Sequence, residues 1–140
     1  MLTMLAYSST LNQSPDEWPE ILEQISTHAH HKNAKLGVTG VLLFSRGRCI
    51  QVLEGFPEKL MPLYAQIKQD QRHSDVQTLI EANIQERSFD AWYMRVIDMS
   101  DAPPHAQSQI QRLTEAYTAS MKPKAADFIQ ILLTLIASQG

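Results

Sequence analysis

Two apolar runs, Val38 to Ser45 and Cys49 to Glu54, are joined by the short stretch Arg46, Gly47 and Arg48. A short Gly-containing connection of this kind suits a hairpin, so the two runs are predicted to be antiparallel neighbours. The second run is apolar on successive residues, Cys49, Ile50, Val52 and Leu53, and stops at Gly55, which is the pattern of a strand buried on both faces. Gln51 stands at its centre and is therefore expected to be buried. A buried primary amide with unmet donors and acceptor costs about 1–3 kcal/mol, so a protein group or a bound ligand must face it.

The rest of the chain arranges itself around that hairpin. Leu2 to Ser9 is rich in strand-forming residues and reads as a first strand, with Tyr7 near its end, rather than as a cleaved leader. Trp18, Ile21, Leu22, Ile25 and Ala29 then form one helical stripe, with Ser14 or Asp16 able to cap it and Pro19 tolerated in its first turn. After the hairpin, Leu60, Leu63, Tyr64 and Ile67 mark a second amphipathic helix. Further strands are expected near Val76 to Ile84 and near Ala91 to Met99. The order β-α-β-β-α-β-β is that of a ferredoxin-like α+β fold with one added strand.

Such a fold puts both helices on one face of an antiparallel sheet and leaves the other face needing cover. The tail is expected to supply it, through one helix marked by Ile110, Leu113 and Tyr117 and another marked by Phe128, Ile129, Ile131, Leu132, Leu133, Leu135 and Ile136. The second is apolar almost all round. Sheet is expected on one side of it and another chain on the other, so a homo-oligomer is expected. We divide the chain into a core, residues 1–99, and a helical cap of the same domain, residues 100–140.

The bulk properties exclude several classes. The 140 residues are read as one domain that buries roughly two-thirds of its unfolded surface. With 44% hydrophobic and 19% charged residues, the balance is that of a soluble globular protein, without a membrane segment. A net charge of −3, with no basic cluster interleaved with aromatics, argues against direct nucleic-acid binding. Cys49 is the single cysteine, which rules out an internal disulfide and fits a reducing, cytoplasmic compartment.

No dinucleotide-binding or phosphate-binding Gly loop, zinc-protease helix motif or paired-cysteine spacing is present. The run His28-Ala29-His30-His31 fits a solvated helix end better than a metal site, and Cys49, inside a strand, fits an inert buried thiol. No metal is expected. The distinctive pieces are instead AYSS, KNAKLGVTGVLLF, IQVLEG, YAQIKQDQRH and RSFDAWYM, in that order. Together they resemble the BLUF family of blue-light photoreceptors over about residues 1–99, and the tail resembles the helical cap of its short, single-domain members.

The resemblance implies non-covalent FAD between the two helices. It implies that Tyr7 is the redox-active tyrosine beside the flavin ring, and that Gln51 bridges Tyr7 and the flavin. Asn33 matches the ligand of a flavin carbonyl; Asp70, Arg72 and His73 match ring or ribityl contacts; Ile25 and Leu53 match apolar ring contacts. Trp92 and Met94 match the last-strand pair associated with switching. Lys32 takes the place of a residue often Asn or His in the family, and its cation is suited to a diphosphate or a flavin carbonyl. Gln66 stands where some members have arginine, and Cys49 where many have phenylalanine.

These residue types suit a photoswitch. A neutral phenol, with an ordinary pKa near 10, can give up an electron and then its proton. A primary amide carries donors and an acceptor on one group, so rotation or tautomerisation exchanges one for the other. The implied function is blue-light sensing that signals to a downstream protein partner, not enzymatic turnover. The competing reading is a cofactor-free ferredoxin-like interaction or regulatory module, for which Lys32 and Gln66 speak. A flavin oxidoreductase ranks last, since no nicotinamide site or substrate acid/base set is evident.

Overall fold

A computed structural model of the chain describes residues 1–100, 108 and 125–139. Five strands form one sheet: β1 (Leu2–Leu11), β2 (Thr39–Ser45), β3 (Arg48–Gly55), β4 (His73–Ile84) and β5 (Arg95–Asp98). Their order is β4-β1-β3-β2-β5. Each neighbouring pair among the first four strands is antiparallel, as a ferredoxin-like sheet requires. The added strand β5 departs from the expected antiparallel sheet, because it pairs parallel to β2. The hairpin is as read: β2 and β3 turn at Arg46 and Gly47, both with positive φ (50° and 90°), the geometry that matches the twist of paired strands.

Helices α1 (Trp18–Leu36) and α2 (Pro57–Gln69) lie on one face. The expected stripe of α1 is the face that packs: Leu22 is buried, and Trp18, Ile21, Ile25 and Ala29 lie against the same cluster. A short 3-10 turn, Pro15–Glu17, precedes α1, so Ser14 caps that turn and makes no side-chain bond, and Pro19 falls in the first turn of α1. The helix ends at Gly37, whose N–H reaches the Asn33 carbonyl, as does that of Val38 at 3.0 Å.

Period-two alternation splits the sheet into two cores. Leu5, Tyr7, Leu42, Phe44 and Leu53 face α1 and α2, while Met4, Ala6, Val41, Leu43, Ile50 and Val52 face the other way. On that second face lies α3 (Ala125–Gln139), which buries Leu132 and Ile136 against the sheet. Ile131 and Leu133 of α3 are each 38% exposed. The helix expected around Ile110, Leu113 and Tyr117 lies outside the described residues.

The fifth strand is shorter and later than the expected span of Ala91 to Met99. The sheet order explains why. Strands β4 and β5 sit at opposite edges, so residues 85–94 must cross the whole end of the sheet before pairing can resume. Trp92 and Met94 therefore belong to that crossing segment and precede the strand. The segment turns where the Trp92 N–H reaches the Phe89 carbonyl at 3.1 Å, and it docks where the Gly40 N–H reaches the Trp92 carbonyl at 2.9 Å.

Candidate functional site

Tyr7, Gln51 and Leu42 form one row across three neighbouring strands, because Tyr7 pairs with Gln51 and Gln51 pairs with Leu42 in register. The row is the floor of a cleft roofed by α1 and α2 that encloses about 720 Å³ of unfilled space, part of it open to solvent. Ile25, Leu63 and Ile67 give the cleft its apolar walls.

Gln51 is 4% exposed and fully engaged on one side. The Tyr7 hydroxyl donates to Gln51 Oε1, and Gln51 Nε2 donates to Met94 Sδ at 3.6 Å. A thioether is a weak acceptor, so the second N–H of this amide remains the strongest unspent donor of the pair. Tyr7 is held by ring contacts with Tyr64, centroids 5.3 Å apart, and with the edge of His73 at 6.2 Å. Burial, reinforced by Cys49, Tyr64 and Asp70, holds its phenol well above the ordinary value of 10.0. The hydroxyl is therefore a donor at any physiological pH.

Asn33 is 2% exposed and donates its Nδ2 to the Tyr93 carbonyl at 2.7 Å, which ties the last turn of α1 to the crossing segment. At the mouth the chemistry changes to cations and their partners. The Arg72 guanidinium forks onto Asp70 at 2.5–3.1 Å and comes within 3.5 Å of His28. That ion pair holds the Asp70 carboxyl below the ordinary carboxylate range. Lys32 Nζ donates to Gln66 Oε1, so two of the three residues that depart from the family pattern meet each other and bridge α1 to α2. His73 Nε2 is set against the Ile67 carbonyl at 2.6 Å and acts as the donor there. Burial pushes the Cys49 thiol up to about 12.

A profile described as "BLUF: Sensors of blue-light using FAD" matches residues 2–95. The chain belongs to the BLUF family. The match covers most of the stretch whose motifs carry the resemblance. The photoactivated adenylate cyclase subunit beta of Euglena longa is 35% identical over 121 residues, which is 84% of this chain and 14% of that protein. The blue light- and temperature-regulated antirepressor BluF of Escherichia coli (strain K12) is 33% identical over 99 residues, 71% of this chain and 24% of that protein. This chain thus spans about one seventh of the cyclase relatives it matches. The solved structure of the BlsA photo-activated state superposes with a TM-score of 0.77 at 26% identity, covering 96% of this chain and 94% of that one.

As a BLUF domain the chain binds flavin, and its cleft fits one on its own chemistry: two buried amides and a phenol at the inner end, apolar walls, and Lys32, Arg72 and His28 at the mouth for an anion. Of the residues expected from sequence, Tyr7, Ile25, Lys32, Asn33, Gln51, Asp70, Arg72 and His73 all line this cleft. Leu53 does not; it pairs with Leu5 further along the same face of the sheet and lies in the packed cluster beside the cleft. Trp92 and Met94 separate. Met94 is buried on the cleft side against Gln51, while Trp92 lies on the α3 side, stacked on Phe89 at 5.8 Å with the Arg95 guanidinium 4.6 Å from its ring.

Leu42, Leu63 and Ile67 line the cleft without having been expected there. For Leu42 the signal was available, since hairpin register places it beside Gln51. Within the run His28 to His31, His28 and His30 have separate surroundings: His28 faces Arg72 and His30 packs on the Tyr93 ring at 5.6 Å.

Proposed function

We propose that the chain is a cytoplasmic blue-light sensor that holds FAD in this cleft and signals the state of the Tyr7–Gln51 pair to a downstream protein. The observation that carries the reading is the hydrogen bond from the Tyr7 hydroxyl to Gln51 Oε1 at the inner end of an amide-lined cleft. The cationic mouth supports a flavin with a phosphate tail, FAD by the family description. Lys32 and Arg72 are the residues assigned to that tail, and Asn33, Gln51, Asp70 and His73 to the ring and its sugar chain. Residues 1–99 are assigned as the flavin-binding core and 100–140 as the cap.

Bound FAD supplies blue-light absorption and a strong excited-state oxidant. Tyr7 is the electron source, and its Oη proton has one short path, along the existing bond to Gln51 Oε1. Once the electron and a proton have returned to Tyr7 no net redox change remains, and what differs is the amide: either Oε1 carries the proton that Nε2 has given up, or the side chain has rotated, and both exchange its donor and acceptor ends. Either change alters the group that Gln51 presents to Met94 Sδ, and Met94 is the first residue of the crossing segment to register it. Trp92, on the other face, is assigned to the later part of the response. The reading makes the protein a sensor and not an enzyme, with a population shift as its output.

Gln51→Leu is expected to retain flavin and lose the light-induced red shift, and Tyr7→Phe to lose the normal photocycle. Absorption spectra of the purified variants in the dark and under blue light check both, and a normal red shift in either contradicts the assigned role. Self-association rests on Ile131 and Leu133, half-exposed on α3, and sedimentation of the intact protein tests it.

A further inference from the structure

Glu54 is a carboxyl group with 0% exposure, and it lies outside the cleft. It stands on β3 three residues after Gln51, and strand alternation turns it to the α3 face. Its Oε2 accepts the Ser88 N–H at 2.7 Å, and its Oε1 accepts the Phe89 N–H at 2.9 Å and the Thr39 hydroxyl at 3.3 Å. Arg87 Nη1 closes the arrangement from outside, donating to the Thr39 hydroxyl at 2.9 Å and to the Glu54 carbonyl at 3.0 Å. A carboxylate this deep is costly unless such donors surround it, and two of these donors are backbone groups of the crossing segment.

That segment is the one that reaches the cleft. From Phe89 it continues to Trp92, whose ring stacks on Phe89 on the α3 face, and then to Met94, which accepts from Gln51 on the cleft face. It therefore passes from one face of the sheet to the other between two anchors, Glu54 and Gln51, both on β3. We propose that Glu54 is a positioning residue for the switch: its carboxylate fixes the start of the segment so that Met94 is presented to Gln51 and movement there is passed to Phe89 and Trp92. Without that anchor the segment would sample more conformations, and Met94 would return to Gln51 less often in the right geometry.

The link to light rests on the flavin reading; the dark placement of Met94 does not. The test uses the whole protein with 13C-methyl methionine, the Met94 resonance being assigned by Met94→Leu. Glu54→Gln keeps the shape but sets an NH2 group against a backbone N–H. It is expected to move the Met94 methyl resonance in the dark, preserve the size of the red shift and slow dark recovery by about tenfold, roughly the worth of one charge-assisted hydrogen bond. Thr39→Val, which deletes one hydroxyl, is expected to move the same resonance less, and it decides the matter if the first variant does not fold. A lower Tm with the Met94 resonance unmoved, and recovery within about twofold of wild type, would reduce Glu54 to a fold anchor and overturn the proposal. If wild type shows no red shift, the flavin reading fails, and the dark Met94 resonance still decides whether Glu54 positions the segment.

Discussion

At the scale of single residues, environment decides which groups can react. Cys49 lines the cleft, yet burial has pushed its thiol up to about 12, so the reactive thiolate is scarce at neutral pH. Native protein is expected to resist alkylation near pH 7 and to take up one equivalent when unfolded; rapid labelling of the folded protein would contradict the assigned burial. Asp70 behaves oppositely. Arg72 depresses its folded pKa below its unfolded value, so its contribution to stability is present at neutral pH and is lost as pH falls through that depressed value. Thermal melts should show Asp70→Asn less stable than wild type near pH 7, with a small difference for so exposed a pair, and the gap should close as pH falls through the depressed value. Gln51 was legible in the sequence because a polar group in an apolar strand is conspicuous, whereas Tyr7 was singled out through the family resemblance. Hairpin register could have given Leu42, but Leu63 and Ile67 were not legible, since an apolar wall residue looks like any other core residue until a cleft separates the two. Leu53 shares a face with Gln51 by alternation, but the period alone does not say where the cleft ends.

At the scale of elements, the hairpin and the helix stripes were legible because period and turn chemistry are local. The parallel pairing of β5 was not, because it depends on which sheet edge the last strand reaches. The segment 85–94 pays for that reach in hydrogen bonds drawn from other elements: Glu54, Gly40, Asn33 and Gln51 each hold part of it. Gly40 matters twice over, since its N–H holds the Trp92 carbonyl and a Cβ there would lie 2.1 Å from the Val52 carbonyl oxygen. Gly40→Ala must push β2 away from β3 and is expected to cost about 3 kcal/mol of stability by denaturant titration. Wild-type stability in that variant would mean that β2 can yield without cost.

At the scale of the whole molecule, a single sheet keeps two faces in register, with the cleft under α1 and α2 and a second core under α3. A signal from one to the other has to pass through or around the sheet, and residues 85–94 go around its end from the Glu54 side to the Gln51 side. No helix among the described residues is long and apolar enough to cross a membrane. The ferredoxin-like order was legible from the alternation of strand and helix patterns, and family membership from motifs scattered along the chain; the division of labour between Met94 and Trp92 was not, because it is set by which side of the sheet end each reaches. The central claim is that the Tyr7–Gln51 pair serves a bound flavin as a light switch. Its most direct test is the visible spectrum of the purified protein in the dark and after blue light, with heat release and identification of the chromophore. A flavin spectrum that shifts slightly to the red and recovers in the dark is the predicted result, whereas a colourless protein that cannot be reconstituted with FAD would contradict it.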